Sequence, residues 1–212
     1  MSNFGLVVIG ACHGSDLVQD INKLKKPVLL VEPLDYNFKL LKKNFQDYEN
    51  IYFEQSFISN NSKSIIFYYV KEDSIKKLGK HWASGIGSFS KEHILNHKSK
   101  RFQIEESDIG SMDIISQTFN QLCEKYNIDT IDNLLIDVEG HEMSILKSID
   151  FNKILISEIK FEFKHLTSTF NYENSLDELI KLFKQNNYSE VFRDKENITF
   201  KLNKKLSFLV RN

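Results

Sequence analysis

Short apolar runs alternate along the chain with longer stretches in which apolar residues recur every three or four positions. Runs rich in β-branched residues are typical of buried strands, and the longer stretches predict amphipathic helices. Strands are predicted at residues 6–11, 28–33, 51–58, 64–70, 133–140 and 153–163, and from Tyr188 onwards. Helices are predicted at residues 17–24, 37–45, 113–126, 141–149 and 175–186.

The order of these elements predicts an α/β fold with a doubly wound, mostly parallel sheet and helices on both faces. A chain of 212 residues can bury one sizeable core, so residues 1–212 are predicted to form a single domain. Residues 71–108 break the alternation, because lysines, glycines, histidines and the only tryptophan follow one another there without a clear period. Such segments in compact domains are usually functional, so we predict an irregular substrate or lid insertion at about 71–108.

Charge and cysteine content restrict the partners and the compartment. The formal net charge of -1 gives no global basic field, so neither nucleic acid nor a membrane is expected as a partner. Cys12 and Cys123 are too far apart to form a disulfide framework or a zinc spacing, which favours a reducing cytoplasm. The apolar run at residues 6–11 is too short for a signal core or a membrane span. The sequence leaves the oligomeric state open.

The first predicted strand ends in a glycine turn. Gly10 and Gly14 lie between this strand and the following helix, and Glu32 stands 22 positions after Gly10, at the end of the second strand. In doubly wound sheets such a turn lets a cofactor approach the backbone, and an acid at the second strand end holds ribose hydroxyls. The pattern therefore indicates a cofactor that contains adenosine. The alternative is a tight turn that binds nothing.

The residues between the two glycines distinguish among such cofactors. A dinucleotide turn requires a middle glycine beside the pyrophosphate, whereas Cys12 and His13 stand there. A phosphate loop would need a lysine and a hydroxyl after the last glycine, whereas Ser15 and Asp16 follow here, and the charge of Asp16 would repel phosphate. An adenosine cofactor without phosphate fits better, and S-adenosylmethionine is the commonest of these. A nicotinamide-dependent oxidoreductase is the less favoured alternative.

Acidic residues also follow two later strands. Asp137 stands where the fourth parallel strand leaves the sheet, Glu139 follows two positions on, and Glu162 lies between two phenylalanines near the end of the next strand. Carboxylates beside a cofactor cleft are costly to desolvate unless they meet a positive group or share a proton. We therefore predict Glu162, Asp137 and Glu139 as candidate bases. His141 is a weaker candidate.

The irregular segment supplies the candidates for acceptor binding. Trp82, Ser88 and Phe89 could shape a pocket in which a ring stacks on a sugar face, although Trp82 could equally anchor the loop to the core. His93 and His97 are one helical turn apart, but no third ligand is evident. We therefore favour a solvated pair on a lid helix, with His93 near the acceptor, over a metal site. No metal is expected.

Several stretches together resemble the FkbM-type methyltransferases, which are class I enzymes that use S-adenosylmethionine. They are "VVIGACHG", "LLVEPLDYNFKLLKKNF", "GIGSFSKEHI", "NLLIDVEGHEMSIL" and "FEFKHL", and they cover most of the chain. The resemblance implies a Rossmann-like, seven-stranded sheet with an antiparallel last strand. It also implies methyl transfer, usually to a hydroxyl of a saccharide or another small-molecule acceptor.

The resemblance assigns roles to individual positions. It implies that the cofactor-binding residues are Gly10, Ala11, Cys12, His13, Gly14, Glu32, Pro33, Ser56, Phe57 and Asp137. Among them Glu32 would hold the ribose, Ser56 and Phe57 would form the turn beside the adenine, and Asp137 would pair with Glu139. Val8 and Cys12 stand where many members carry an acid and an asparagine. This difference keeps open a module that binds the cofactor without catalysis.

Overall fold

A computed structural model of the protein describes residues 2–79, 81–96, 103–164, 166 and 173–203. The strands are β1 Ser2–Ile9, β2 Val28–Val31, β3 Ile51–Glu54, β4 Phe57–Ser59, β5 Ser64–Val70, β6 Gly87–Ser88, β7 Ile109–Thr118, β8 Ile128–Ile136, β9 Leu155–Glu162, β10 Tyr188–Arg193 and β11 Asn197–Leu202. The α-helices are α1 Val18–Ile21, α2 Asp35–Asn44, α3 Glu72–Leu78, α4 Lys91–Asn96, α5 Phe119–Lys125, α6 Glu142–Ser148 and α7 Glu173–Gln185. Short 3-10 turns lie at Ser15–Leu17, His81–Ser84 and Glu106–Asp108.

The main sheet has seven strands in the order β10-β11-β9-β8-β1-β2-β3. The pairs from β9 to β3 are parallel, whereas β11 runs antiparallel to both β9 and β10. This arrangement confirms the predicted Rossmann-like sheet with an antiparallel last strand. The chain reverses its winding direction between β1 and β8, so the loops after β1 and β8 open a crevice at one edge of the sheet.

Helices cover both faces of the main sheet. Since the side chains of a strand alternate between its faces, each strand contributes to the core on either side. On β1, Val7 and Ile9 belong to the core under α5, α6 and α7. Leu6 and Val8 belong to the core under α1 and α2. Strands buried on both sides are expected to be continuously apolar, which explains why β1 was predictable from composition.

A second, four-stranded sheet has the order β4-β7-β5-β6 and contains part of the predicted insertion. The helix predicted at residues 113–126 is wrong in its first half, because Ile109–Thr118 is a strand and α5 begins at Phe119. Residues 109–115 pair with residues 64–70, a long-range contact that a local period does not reveal. Thr118 then caps α5, its hydroxyl accepting a hydrogen bond from the Gln121 N–H.

The helix predicted after the glycine turn is much shorter than expected. Residues 17–24 were predicted as one helix, but the structure has a 3-10 turn at Ser15–Leu17 and a single α-turn at Val18–Ile21. Gly14 is the residue before the 3-10 turn, and no side chain caps it. Among the described residues, no helix is both long and apolar enough to cross a membrane.

Candidate active site

The crevice at the carboxyl ends of β1, β2 and β8 is the candidate site. It encloses about 630 Å³, counting the open solvent at its mouth. It lies where doubly wound sheets bind ligands. Eight of the residues predicted to act in the site line it: Gly10, Cys12, Glu32, Pro33, Ser56, Phe57, Asp137 and Glu139. The structure thus brings these residues together, and their individual roles stay predictions.

The loop after β1 needs its glycines for two different reasons. Gly10 has a φ of 87°, and a Cβ there would collide with the backbone carbonyl of Asp137. Gly14 has a φ of 70°, and a Cβ there would meet the side chains of Phe45 and Leu41 at 2.5 and 2.6 Å. Gly10 therefore allows the loops after β1 and β8 to touch, whereas Gly14 allows the loop to pack on α2.

Glu32 occupies the end of β2 and is only 4% exposed. Its Oε2 accepts the Cys12 N–H at 2.9 Å, and its Oε1 accepts the Leu34 N–H at 2.9 Å. Burial raises the pKa of this carboxyl to about 7, although the two backbone donors lower it. Oε1 also faces the Asn37 amide at 3.5 Å, whereas Oε2 keeps a second lone pair through which the carboxylate can still accept a hydrogen bond from a ligand.

The other predicted loop residues differ in their exposure. Cys12 has a φ of 49°, and burial followed by the charge of Glu32 raises the pKa of its thiol to about 11, so the thiol is neutral at pH 7. Ala11 is buried in the core beside α2 and is not among the crevice-lining residues. The Nδ1 of His13 lies 2.8 Å from the hydroxyl of Ser15, and its ring borders a separate groove beside α2.

Three carboxylates meet beside the crevice. Asp137, Glu139 and Glu162, here called the acid cluster, each bring one oxygen within 4.8 Å of the others. Asp137 is exposed and the other two are half-buried. The strand predicted at residues 133–140 ends earlier than expected, because β8 ends at Ile136 and Glu139 has a φ of 54°. The turn itself brings these acids together.

Glu142 shapes this turn, and the sequence did not single it out as a site residue. Its side chain is fully buried, and its two oxygens accept the N–H groups of Val138 at 2.9 Å and Gly140 at 3.0 Å. Burial raises the pKa of this carboxyl to about 8. These two bonds lie on either side of Glu139 and fix the conformation that points it towards the rest of the acid cluster.

The predicted adenine-side turn lies between β3 and β4. Gln117 donates from its Nε2 to the Ser56 hydroxyl at 2.6 Å. The ring of Phe57 contacts Phe89, with the ring centres 4.7 Å apart, and Phe89 contacts His141 at the same distance. Burial lowers the pKa of His141 to about 4, so its imidazole is neutral at pH 7. An aromatic wall thus connects the cofactor side to the turn that carries the acid cluster.

The predicted acceptor residues occupy different environments. Ser88 is buried in β6, and its hydroxyl accepts the Ser90 N–H at 3.2 Å, while Phe89 belongs to the aromatic wall. His93 is only 1% exposed, so the expected solvated histidine pair is wrong for this member. Ile94, next to it on α4, is also buried, which shows that this part of the helix packs inwards. His97 and the side chain of Trp82 lie outside the described residues.

Comparison with protein families identifies the group to which this fold and site belong. The model of the methyltransferase FkbM domain matches residues 9–190, most of the chain. The chain belongs to the FkbM methyltransferase family. The predicted resemblance is therefore confirmed, and the methyltransferase is favoured over a nicotinamide-dependent oxidoreductase. A comparison with curated proteins found no match.

Solved structures with the same fold include another FkbM protein. The FkbM methyltransferase from Methylobacillus flagellatus KT is 15% identical, with a TM-score of 0.54 over 94% of this chain and 43% of that chain. This chain thus spans less than half of that protein's length. Fibrillarin from Aeropyrum pernix, solved with natively bound S-adenosyl-L-methionine, is 11% identical, with a TM-score of 0.46 over 93% of this chain and 66% of that chain.

Family membership supports S-adenosylmethionine as the cofactor of this FkbM domain, and the crevice fits it. The carboxylate of Glu32 is held at the strand end with a lone pair of Oε2 left for a ribose hydroxyl. Cys12 and the aspartate that follows Ser15 give the loop no phosphate cradle. Asp137 lines the same crevice, and its carboxylate would suit a cationic methionyl group. The residues present therefore match an uncharged nucleoside joined to a sulfonium and an ammonium.

Proposed function

We propose that this domain transfers the methyl group of S-adenosylmethionine to a hydroxyl oxygen of a saccharide or another small-molecule acceptor. The convergence of the acid cluster beside the crevice carries the proposal. A hydroxyl gives up a proton when its oxygen becomes methylated, and a carboxylate within reach can accept that proton. The cofactor, when bound, supplies an activated methyl group on a sulfonium.

The chain itself has to hold the acceptor and exclude water. Alignment of the reacting atoms can supply roughly 7 to 11 kcal/mol of the barrier in favourable cases, and a base adds about 10² to 10⁴ in rate. Glu162 is our first candidate for the base, because it ends β9 within the acid cluster and Phe161, its neighbour in the strand, is buried. Asp137 and Glu139 are the alternatives.

The test is methyl transfer from radiolabelled S-adenosylmethionine to a panel of saccharide and small-molecule hydroxyl acceptors, with the matching amines as a second panel. Glu162→Gln is expected to lower turnover about 10²-fold or more and to leave the affinity for S-adenosylhomocysteine unchanged. Glu158→Gln is the matched control, because Glu158 lies on the same strand but pairs with Lys201 at 3.4 Å.

Each outcome of this assay bears on one part of the proposal. Full turnover in Glu162→Gln would move the base to another member of the acid cluster. Transfer to amines alone would overturn the oxygen acceptor. Cofactor binding without transfer to any acceptor, including the saccharides, would favour the module that binds without catalysis.

Other expectations from the sequence belong to this proposal. We propose that residues 1–212 act as one domain and that the segment 71–108 contributes the acceptor side of the site. A small-molecule or saccharide partner rather than nucleic acid, and a cytoplasmic location, also stay predictions. Trp82, Ser88, Phe89 and His93 are the residues whose substitution tests the acceptor side.

A further inference from the structure

The first turn of α2 connects two parts of the site that are far apart in sequence. Asn37 is 1% exposed and donates from its Nδ2 to the Ser84 carbonyl at 2.8 Å. The same Nδ2 lies 3.5 Å from Oε1 of Glu32. One amide group therefore contacts both the predicted ribose acid and the segment that crosses the crevice.

The orientation of this amide is fixed by its neighbours. Glu32 Oε1 and the Ser84 carbonyl are both acceptors, so only the NH₂ group of Asn37 can face them. No described residue donates to its Oδ1, which is buried. A buried oxygen without a partner costs free energy, and an apolar side chain of similar size would avoid that cost. We therefore attribute the amide at this buried position to the two hydrogen bonds that its NH₂ group donates.

The segment after Ser84 forms one wall of the crevice. Gly85 and Gly87 line it together with residues of the loops after β1 and β8. Tyr36 donates to the same Ser84 carbonyl at 3.1 Å, and among the described residues its hydroxyl makes no hydrogen bond to Glu32. Burial, and then the charge of Glu32, raises the pKa of Tyr36, so the hydroxyl stays protonated. The Cys12 sulfur lies 3.8 Å from the Ser84 hydroxyl. The wall segment, residues 84–88, is therefore held by Tyr36 and Asn37 together.

We propose that Asn37 is a positioning residue that couples cofactor binding at Glu32 to the placement of the wall segment. This inference rests on the proposed function, in that it assigns Glu32 to the ribose. Ribose hydroxyls bind the ionised carboxylate, so the bound cofactor holds Glu32 in the form to which the hydrogen bond from Asn37 is charge-assisted and therefore strongest. The amide that holds Ser84 is then better fixed, so the wall forms fully with the cofactor in place. The acceptor consequently binds second, to a site that the cofactor has completed.

Hydrogen exchange of the full chain, with and without saturating S-adenosylhomocysteine, tests the coupling. In the wild type, the ligand is expected to slow exchange in the loop 10–14, which it touches, and in the wall segment. Asn37→Asp places a carboxylate against two acceptors without changing the size of the side chain. It is expected to weaken ligand affinity about tenfold and to abolish the ligand-dependent slowing in the wall segment only.

Two further variants distinguish coupling from simple anchoring. Tyr36→Phe removes a donor to Ser84 but none to Glu32, so it is expected to speed exchange of the wall segment while keeping the ligand-dependent slowing. Asn152→Asp adds the same charge on an exposed turn and is expected to behave as the wild type. If Asn37→Asp fails to fold, Asn37→Ala removes both donors without adding charge.

The outcomes separate the inference from the proposed function. Ligand-dependent slowing of the wall segment in both Asn37 variants, or its equal loss in Tyr36→Phe, would overturn the coupling. A wild type in which the ligand slows exchange only in the loop 10–14 would also overturn it. A wild type that shows no ligand effect in either region would instead contradict cofactor binding and, with it, the proposed function.

Discussion

Acidification from about pH 8 to about pH 6 is expected to weaken the binding of S-adenosylhomocysteine through the protonation of Glu32. In the free protein, burial raises the pKa of this carboxyl to about 7. The groups that contact it are hydrogen-bond donors, namely the N–H groups of Cys12 and Leu34 and the amide of Asn37. A ribose hydroxyl adds a further donor, so the ligand binds the ionised form.

The magnitude follows from the fraction of Glu32 that is ionised. The apparent dissociation constant scales as one plus ten to the power of the pKa minus the pH, a factor of about 1.1 at pH 8 and about 11 at pH 6. The affinity should therefore fall about tenfold. Because the bound form is ionised, binding below pH 7 also releases a proton.

Calorimetric titration in two buffers of different ionisation enthalpy measures both the affinity and the released proton. Glu32→Gln should bind more weakly at every pH and lose this pH dependence. Glu142 also titrates near this range, with a pKa of about 8, so Glu142→Gln is the control and should keep the pH dependence. A wild-type affinity that stays constant from pH 8 to pH 6, or a full pH dependence in Glu32→Gln, would refute the reasoning.

The stability of the ligand-free protein should also depend on Glu32, but it should fall as the pH rises, whereas the affinity for the ligand rises. The folded carboxyl of Glu32 has a pKa of about 7, against 4.5 in the unfolded chain. Between these values the folded state binds more protons than the unfolded state, so the contribution of Glu32 to the free energy of unfolding falls as the pH rises. Above about pH 7 this contribution becomes constant. Ligand binding and stability thus report on Glu32 independently.

Three further perturbations test the loops and the acid cluster. Gly10→Ala should lower the melting temperature by about 4 °C or more, because its Cβ would strike the Asp137 carbonyl at a φ of 87°. Gly79→Ala is the control, with a φ of 61° and nothing within 4 Å, and an equal loss there would contradict the collision. Glu142→Gln should lower the free energy of unfolding in urea by about 1–3 kcal/mol, since an amide nitrogen cannot accept the second N–H. An unchanged urea midpoint would show that this second hydrogen bond is dispensable. EDTA should leave methyl transfer unchanged, because the acid cluster is assigned to proton uptake. A loss of turnover that Mg²⁺ restores would instead assign these carboxylates to a metal site.

The sequence was sufficient to predict those features whose local residue pattern matches the structure that the residues adopt in the fold. β1 and β2 are buried on both faces, so their residues are continuously apolar and their ends are marked by Gly10 and Glu32. The carboxyl ends of parallel strands meet at one edge of the sheet, which brings Asp137 to the same crevice. The positions of these three residues followed from topology alone.

Features that depend on long-range partners were not predictable in this way. Residues 113–118 have apolar spacing that suits a helix, and only their pairing with β5 and β4 makes them a strand. His93 looked solvated beside lysines, yet it is buried within α4. Asn37 did leave a signal, because it lies four residues before the core residue Leu41 and so places a polar group on the buried stripe of α2. Its partner, Ser84, could not be inferred from that stripe.

The difference in exposure between Glu32 and the acid cluster separates binding from proton transfer. Glu32 is almost fully buried and surrounded by donors, so it suits hydroxyl groups that must be held in one orientation. A base, by contrast, has to release its proton to water after each turnover. Asp137 is the exposed member of the acid cluster and offers that exit, even if the half-buried Glu162 receives the proton first.

We therefore expect Asp137→Asn to slow the return of Glu162 to its ionised form without weakening ribose binding. Burst kinetics would show this as a normal first turnover followed by slower later ones, and a slowed first turnover would place Asp137 in the chemical step itself.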